Sequence, residues 1–195
     1  MLKIILKKAI SYFKYFFQSS ELNYNNFPRK INLGSGLNYM NDWINIDNNK
    51  SIKADLYCNI QSFHNTFEDN SVDLILSSHS IGYLYNWEAI LLFKNSYKLL
   101  KNGGVLILEF PDAVKCAKLV LSKNKDSHIE GIRGFYAFDL DQIFYKNSYT
   151  PYSYSWTSKF IKEELLKVGF KSVSIKLPLT HNKRYNRDSR IEAYK

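Results

Sequence analysis

The chain has 195 residues, 45% of them hydrophobic, and carries a formal net charge of +9. That length suits a single domain with a substantial core, and the apolar content excludes a chain that is disordered throughout. Its two cysteines, Cys58 and Cys116, are too few for a disulfide framework or a metal cluster, and no stretch reaches the roughly 20 apolar residues of a membrane span. We therefore expect a reduced, cytoplasmic protein with no metal site.

The first predicted element is a basic amphipathic helix over residues 1–20. It carries four lysines and no acid, and its apolar residues recur at helical spacing: Leu2, Ile5, Leu6, Ala9, Ile10, Phe13, Phe16 and Phe17. Lys7 and Lys8 interrupt the apolar run early, which is unlike a secretory signal. Such a helix can dock on its own domain, make a homodimer contact, or attach the protein peripherally to an anionic membrane surface. Residues 21–29 are polar and are predicted to be a linker.

From residue 30 to residue 195 the pattern alternates between strands and helices. Strands are predicted at 30–33, 43–47, 72–77, 104–110, 170–177 and 190–194, and helices near 90–100, 112–122 and 157–168. This alternation is typical of an α/β fold with a mostly parallel sheet and helices on both faces, and the two closing strands predict an antiparallel edge. Residues 123–155 show no clean period and are predicted to be an aromatic-rich insertion, forming either a lid over the acceptor or packing at the sheet edge.

A glycine turn and an acidic residue stand at the ends of the first two strands. Gly34-Ser35-Gly36 follows the first strand, and Asp47 ends the second. Ligands of open α/β sheets bind at the carboxyl ends of strands, where glycine lets a ligand approach the backbone and a carboxylate can accept both ribose hydroxyls. The pair therefore predicts a nucleoside site.

Two nucleoside cofactors fit such a site, and the spacing favours one of them. A dinucleotide fingerprint places a third glycine at position 39, where this chain has Tyr39. The residues between the strands, 34–42, leave room for a helix of a turn or two at most, so the helix dipole that binds a pyrophosphate is weak or absent. S-adenosylmethionine has no phosphate, and the short crossover favours it over NAD.

Several segments together resemble a known family. They are Ile31-Asn32-Leu33-Gly34-Ser35-Gly36, Trp43-Ile44-Asn45-Ile46-Asp47, Ala54-Asp55-Leu56, the run from Phe67 to Asp73, Ser78-His79, Leu99 to Gly104, Gly169-Phe170 and Arg187 to Ala193. This set is similar to the small class I methyltransferases that are often found near bacterial polysaccharide biosynthesis genes. The resemblance covers roughly residues 30–112 and 156–195. It implies a Rossmann-like three-layer αβα sandwich with a seven-stranded sheet, and S-adenosylmethionine as cofactor.

The resemblance also implies roles for individual residues. Asn32, Leu33, Gly34, Ser35 and Gly36 would line the methionine part of the cofactor, and Asp47 would bind the ribose. Asn59 and Ile60 would flank the adenine, and Ser78 and His79 would lie beside the methyl group, at the exit of a strand. His79 is the candidate general base, because a neutral imidazole can take a proton from an attacking hydroxyl. The alternative for His79 is packing at the strand end.

One segment departs from the family. Where its members commonly continue with Leu-Glu-His, this chain has Ser80-Ile81-Gly82-Tyr83. The sequence predicts methyl transfer to an oxygen or nitrogen of a small-molecule or glycan-like acceptor. A catalytically weak binding or scaffold domain, and an NAD-dependent oxidoreductase, are the alternatives. The positive charges cluster at the chain ends without a recognition motif, which argues against nucleic acid as a partner.

Overall fold

The computed structural model describes residues 29–137, 151–180 and 184–195. The helix predicted over residues 1–20, nearly all of the predicted linker, and residues 138–150 of the aromatic insertion lie outside the described residues. The described part of the chain contains every residue assigned from the sequence to the cofactor site, together with His79.

Seven strands form one mixed sheet in the order β3-β2-β1-β4-β5-β7-β6. Their bounds are β1 (Lys30–Leu33), β2 (Ile44–Asp47), β3 (Leu56–Tyr57), β4 (Val72–Ser78), β5 (Leu100–Pro111), β6 (Ser172–Lys176) and β7 (Asp188–Tyr194). Strands β1 to β5 pair in parallel, and β7 runs antiparallel between β5 and β6. The predicted Rossmann-like sheet with an antiparallel C-terminal pair is confirmed. With two residues, β3 is too short to produce a periodic pattern, and periodicity does not reveal it.

In the part of the chain that the structure describes, four α-helices connect these strands: α1 (Asn86–Leu99), α2 (Ala113–Val120), α3 (Lys125–Tyr136) and α4 (Ser158–Val168). Three of them match the predicted helices. The Thr157 side chain caps the start of α4 by accepting a hydrogen bond from the Phe160 amide, and Gly169 ends that helix in the left-handed conformation, at φ 118°.

Helix α3 falls inside residues 123–155, which show no clean period in the sequence and were predicted only as an aromatic-rich insertion. Asn124 caps the helix by accepting a hydrogen bond from the Ser127 amide. Gly131 and Gly134 are poor helix formers, but a Cβ on Gly131 would come within 2.7 Å of the Cys116 carbonyl, and one on Gly134 within 2.3 Å of its sulfur. The two glycines let α3 lie directly against α2, and tertiary packing outweighs their low propensity.

The hydrophobic core lies between one face of the sheet and helices α1 and α4. Ile31, Ile75, Leu106 and Ala193 follow one row across four strands, and all are fully buried. The same core contains Leu92 and Phe93 of α1 and Ile161 and Leu165 of α4. Because this core fixes the strands at their centres, the loops at their carboxyl ends are held in defined positions. None of the helices in the described ranges is both long and apolar enough to cross a membrane.

Candidate cofactor and acceptor site

The loop after β1 turns back onto β2 without an intervening helix. The amides of Gly34 and Ser35 both donate to the Ile46 carbonyl, at 2.8 and 3.0 Å. Gly34 and Gly36 adopt positive φ angles of 70° and 53°, which glycine tolerates without strain. A Cβ on Gly34 would lie 2.3 Å from the Ser80 hydroxyl oxygen, so glycine is also required to bring this loop against the residues that follow β4.

The Asp47 carboxylate lies directly beside this loop, as predicted from its place at the end of β2. Its Oδ2 atom accepts a hydrogen bond from the Gly36 amide at 2.8 Å, and its Oδ1 atom accepts one from the Asn49 amide at 2.9 Å. An ionised carboxylate offers about four lone-pair sites, so it can accept further hydrogen bonds from ribose hydroxyls. The acid is therefore oriented by the loop and still able to bind a ligand.

Two details of the loop fit a polar ligand such as S-adenosylmethionine. A Cβ built on Gly36 would meet no atom within 4 Å among the described residues, so the backbone there borders open space. The Ser35 hydroxyl is buried, and no described residue is its hydrogen-bond partner. A buried polar atom without a partner costs free energy unless a ligand or water satisfies it. The Ser35 hydroxyl and the open backbone suit the predicted contact with the methionine part of the cofactor, and the ribose contact of Asp47 remains a prediction.

The Asn32 side chain supports the loop through hydrogen bonds. Its Nδ2 atom donates to the Asn38 carbonyl at 2.8 Å and to the Asn45 Oδ1 atom at 3.0 Å, and the residue is 2% exposed. Asn45 in turn donates through its backbone amide and Nδ2 to Asp55, at 2.8 and 2.9 Å. Leu33 is fully buried in the core. Cofactor contacts by Asn32 and Leu33 remain predictions.

Sequence reasoning gave no role to Asn45 and Asp55, which complete this scaffold. The available signal was a polar residue between two isoleucines in the otherwise apolar strand Ile44-Asn45-Ile46. A buried amide must be hydrogen-bonded, and such a residue in a short strand indicates a nearby loop that needs support.

Asn59 and Ile60 lie just beyond β3, the strand next to β2. The Asn59 side chain accepts a hydrogen bond from the Gln61 amide at 3.2 Å, and Ile60 packs against the core. The Cys58 amide donates to the Asp47 carbonyl at 3.1 Å, which places this turn beside Asp47. That position is compatible with adenine contacts by Asn59 and Ile60, which remain a prediction.

His79 follows β4 in the left-handed conformation, at φ 55°, which is uncommon for a residue with a Cβ. Its amide donates to the Glu109 carbonyl at 2.7 Å, and its Nε2 atom lies 3.1 Å from Asp188 Oδ2. The side chain is 17% exposed. Ser78, one residue earlier, has its hydroxyl 2.9 Å from that of Thr180. The backbone of His79 is thus tied to β5, and its imidazole lies beside the first residue of β7.

The partner of His79 is a carboxylate that is itself held by an arginine. Arg187 donates from Nε to Asp188 Oδ1 at 2.6 Å and from NH2 to Oδ2 at 3.1 Å, and Asp188 is fully buried. Burial raises the pKa of the Asp188 carboxyl, but the contacts with His79 and Arg187 outweigh burial and leave that pKa below its ordinary value. Sequence reasoning missed this role. The signal was the predicted antiparallel edge, since the first residue of such a strand lies beside the carboxyl ends of its parallel neighbours.

The departure at Gly82 has a packing explanation. A Cβ on Gly82 would lie 2.5 Å from the ring of Tyr152, at the end of the aromatic insertion. The Gly82 carbonyl accepts a hydrogen bond from the Ser153 amide at 2.8 Å, and Trp156 Nε1 donates to the Ile81 carbonyl at 2.9 Å. Burial raises the pKa of the Tyr152 phenol. In this chain the segment after β4 is shaped to receive the insertion.

The loop between β6 and β7 is fastened to the same edge of the sheet by Glu109. This carboxylate is fully buried and accepts hydrogen bonds from the amides of Leu179 and Thr180 at 2.9 and 3.0 Å, and from Arg190 NH1 at 2.8 Å. Burial raises the pKa of Glu109, but these donors outweigh it and hold the pKa below its usual range. Leu179 and Thr180 of this loop therefore lie beside the ends of β4 and β5.

Ionisable clusters give no indication of a metal. Within residues 29–137, 151–180 and 184–195, no group of His, Cys, Asp or Glu side chains is arranged to hold a metal ion. Both cysteines are unpaired, and burial raises the pKa of the Cys58 thiol to about 11 and that of Cys116 to about 12. They are therefore protonated at neutral pH.

Solved structures define the class of fold. A SAM-dependent methyltransferase from Archaeoglobus fulgidus is 13% identical with a TM-score of 0.60, covering 100% of this chain and 95% of that chain. One from Methanosarcina mazei is 15% identical with a TM-score of 0.58, covering 86% and 92%. A Haemonchus contortus phosphoethanolamine N-methyltransferase, in complex with phosphomonomethylethanolamine and S-adenosylhomocysteine, is 14% identical with a TM-score of 0.52, covering 91% and 52%. The fold is that of class I methyltransferases.

The sequence itself matches a family described as methyltransferase domain over residues 35–108. A comparison with curated proteins finds no match. The matched residues run from the glycine loop through Asp47 and His79 into β5. The matched segment is thus similar to a methyltransferase domain, and the fold is that of S-adenosylmethionine-dependent methyltransferases.

Proposed function

We propose that the protein transfers a methyl group from S-adenosylmethionine to an oxygen or nitrogen of a small-molecule acceptor. The observation that carries this proposal is the meeting of the Gly34–Gly36 loop, Asp47 and His79 at one edge of the sheet, with Gly34 packed against Ser80. The loop binds the methionine part of the cofactor, Asp47 binds the ribose, and Asn59 and Ile60 flank the adenine. Ser78 borders the methyl group.

The chain's own contribution to the reaction is position and proton removal. S-adenosylmethionine supplies a methyl group already activated on a sulfonium. Because that group needs no further activation, much of the rate comes from holding the acceptor in line. His79 takes the acceptor proton, and its contact with buried Asp188 stabilises the resulting imidazolium.

Exposed aromatic side chains near this edge support a glycan-like acceptor. Tyr83 is 44% exposed, Tyr85 57% and Tyr154 38%, and all three follow segments that border His79 or Gly82. Aromatic faces stack well on sugar rings. Basic residues at the chain ends add a preference for acceptors that carry negative charge. Two protonated cysteines, unpaired, are compatible with the proposed cytoplasmic location.

Isothermal titration with S-adenosylmethionine, S-adenosylhomocysteine and NAD tests the cofactor. We expect both sulfur ligands to bind and NAD not to bind, and binding of neither sulfur ligand would eliminate the methyltransferase. Formation of S-adenosylhomocysteine in the presence of a panel of hydroxylated sugars, phenols and amines then separates turnover from a scaffold role. Tight cofactor binding without turnover on any class of acceptor would favour the scaffold.

Replacement of Asp47 by alanine tests the ribose assignment. The change removes charge-assisted hydrogen bonds to the ribose and the anchor of the Gly36 amide, so we expect S-adenosylmethionine to bind on the order of 100-fold more weakly. Asp69→Ala, an exposed aspartate paired with Lys98, is the matched control and should bind as the wild type does. Unchanged affinity in the Asp47 variant would refute the assignment.

Replacement of His79 by alanine tests the general base. Loss of general-base catalysis should lower kcat by about 10²- to 10⁴-fold, while the affinity for S-adenosylmethionine stays within about 3-fold of wild type. If kcat is unchanged with a good acceptor, positioning alone carries the reaction and His79 is not the base.

For residues 1–20 we propose docking on the domain or on a second copy, in preference to a membrane surface. The apolar stripe and four lysines support either partner. Co-sedimentation with anionic liposomes, with and without residues 1–20, separates them: equal pelleting removes the membrane role, and loss of pelleting on truncation establishes it. Sedimentation velocity of both forms reports a dimer contact.

A further inference from the structure

We propose that residues 1–20 dock on the face of the sheet opposite the core, over the two inner strands β4 and β5. The receiving surface, here called the β4–β5 patch, consists of four apolar side chains: Leu74, Leu76, Val105 and Ile107. The inference rests on the docking proposed above for residues 1–20. It names the surface that receives the segment and assigns that surface to the segment of the same chain.

The alternation of side chains places the β4–β5 patch on the face opposite the core. Successive residues of a strand point to opposite faces of the sheet. Ile75 and Leu106 belong to the core formed with α1 and α4, so their neighbours in sequence point away from it. The register pairs Leu74 with Val105 and, two residues further along, the other two patch residues with each other. The four side chains are therefore contiguous.

The crossovers that cover this face in an open α/β sheet contain no helix here. Right-handed crossovers place the helices of one half of such a sheet on the face opposite those of the other half. Helix α1, between β4 and β5, lies on the core face. The opposite face would be covered by residues 34–43 and 48–55, which join β1, β2 and β3, and neither segment is helical. These crossovers therefore bring no helix to the β4–β5 patch.

The described helices do not supply the cover either. Among the described residues, the core that contains α1 and α4 includes none of the patch. Helix α2 lies at the carboxyl edge, where Lys115 donates to the Tyr185 and Asp188 carbonyls at 3.1 and 2.6 Å, and α3 packs against α2. Leu76 and Ile107 are nevertheless only 4% and 7% exposed. Apolar side chains buried to this extent on a sheet face indicate a further layer over them.

The polar borders of the β4–β5 patch fit a single helix. Asn32 of β1 lies beside Leu76, and Glu192 of β7 lies beside Ile107, so the apolar surface is limited to two strands. Two strands are about 10 Å across, which is the diameter of one helix. A stable interface between two proteins buries about 800 Å² on each partner, with about 20 residues a side. The patch is too small for a second copy of the domain and matches the apolar side of one helix.

Residues 1–20 have the composition and the reach for this position. Their apolar residues recur at helical spacing, and the segment carries four lysines and no acid, so the predicted helix has one apolar side. Arg29 lies beside the patch, because its amide donates to Asp73 Oδ2 at 2.7 Å and its carbonyl accepts from the Leu74 amide at 3.3 Å. Residues 21–28 can span up to about 26 Å, whereas β5 lies about 10 Å from β1. The connection is therefore long enough to reach every part of the patch.

Nuclear Overhauser effects (NOEs) in the complete 195-residue chain test the docking. The sample carries ¹³C-labelled Ile, Leu and Val methyl groups and protonated phenylalanine rings in a deuterated background. We expect NOEs from the rings of Phe13, Phe16 or Phe17 to the methyl groups of Leu76 and Ile107. Replacement of each of these phenylalanines by leucine, one at a time, assigns the NOEs by their loss. Absence of NOEs from all three rings to the patch would overturn the inference.

A mixed sample separates the same chain from a second copy. Methyl-labelled chains without protonated rings are unfolded and refolded together with unlabelled chains that carry protonated rings. If residues 1–20 dock on their own domain, the NOEs disappear in this mixture. NOEs that persist between differently labelled chains assign the docked segment to a second copy and contradict the inference.

Ile10→Glu and Ser11→Glu are a matched pair of variants. Both add one negative charge to residues 1–20, but helical spacing places Ile10 among the apolar residues and Ser11 outside them. Ile10→Glu should remove the NOEs and shift the Leu76 and Ile107 methyl signals. It should also lower the equilibrium constant for folding, measured by urea unfolding, about 10-fold or more, because burial of an unpaired carboxylate is unfavourable. Ser11→Glu should leave all three unchanged, and equal behaviour of the two variants would count against the docking.

The outcomes separate this inference from the docking proposal on which it rests. If Ile10→Glu does not fold, the NOEs of the wild type and of the leucine variants decide. Intrachain NOEs from residues 1–20 to another surface, such as the exposed Ile175 and Leu177 at the β6 edge, would keep the docking and refute the choice of face. Patch signals that respond only to vesicles of phosphatidylcholine and phosphatidylglycerol, without intrachain NOEs, would assign residues 1–20 to a membrane surface and refute both.

Discussion

Gly82 shows how one residue can join two parts of the chain that are far apart in sequence. It lies in the turn after β4, its carbonyl accepts from the Ser153 amide, and the ring of Tyr152 occupies the space of a Cβ. Tyr152 also contacts Tyr83 in a T-shaped arrangement, with ring centroids 4.9 Å apart. Glycine at position 82 is therefore needed for the end of the insertion to pack against the turn after β4, beside the place where the acceptor is proposed to bind.

Gly82→Ala should destabilise the fold by about 2 kcal/mol, because an extra methyl group in a packed contact forces the neighbours to move. Urea unfolding measures the free energy of unfolding. In the background of Tyr152→Ala, which removes the clashing ring, the same glycine substitution should cost less than about 0.5 kcal/mol. An equal cost in both backgrounds would show that the clash with Tyr152 is not the cause.

At the scale of elements, the β6–β7 loop depends on one buried carboxylate. Glu109 accepts hydrogen bonds from the amides of Leu179 and Thr180 and from the Arg190 guanidinium. Arg190 also donates to Glu192 at 2.8 Å. Lys176, on the edge strand β6, also pairs with Glu192 and extends this network. Three strands and the loop thus share one network on the face opposite the main core. Removal of one charge leaves a buried partner with fewer compensating contacts, which costs stability.

Glu109→Gln should lower the free energy of unfolding by about 2 kcal/mol, since Arg190 then loses one of its two carboxylate partners and keeps only Glu192. Hydrogen exchange should accelerate at the Leu179 and Thr180 amides, which report the loop directly. Asp73→Asn is the control, because Asp73 pairs with Lys101 where both side chains are about one-third or more exposed, and it should cost less than about 1 kcal/mol. Unchanged exchange at both loop amides would contradict the fastening role of Glu109.

Elements with strong periodicity could be predicted from the sequence, and those shaped by tertiary contact could not. The apolar run of β5 and the capped helix α4 carry their own signals in Val105 to Phe110 and in Thr157 and Gly169. Helix α3 was missed because Gly131 and Gly134, chosen by contact with α2, weaken its local pattern.

Prediction of the site has the same limit. Gly34, Gly36 and Asp47 could be predicted to lie together, because the carboxyl ends of parallel neighbours share an edge. The contact of His79 with Asp188 joins residues 109 positions apart across an antiparallel strand, and no local pattern specifies that register. Only the assembled sheet shows which side chain faces the imidazole.

At the scale of the whole molecule, acidic pH should lower the free energy of unfolding more than the net positive charge alone implies. The pKa values of Asp73, Glu109, Asp188 and Glu192 all lie below their ordinary range. For each of them burial works against ionisation and hydrogen bonds from basic, hydroxyl or amide groups outweigh it. These ionised carboxylates therefore bind protons more readily in the unfolded chain than in the folded one.

Stability should accordingly be greatest near neutral pH and fall as the pH drops from about 5 towards 3. A depressed pKa in the folded state stabilises it above the unfolded value, near 4, and that contribution disappears as the pH falls through the folded value. Urea unfolding across this range measures the slope, and Glu109→Gln should flatten it because one of the depressed groups is gone. Protonation also raises the net charge above +9, which adds self-repulsion in the same direction. A free energy of unfolding that stays constant down to about pH 3 would show that these carboxylates are not stabilised by folding.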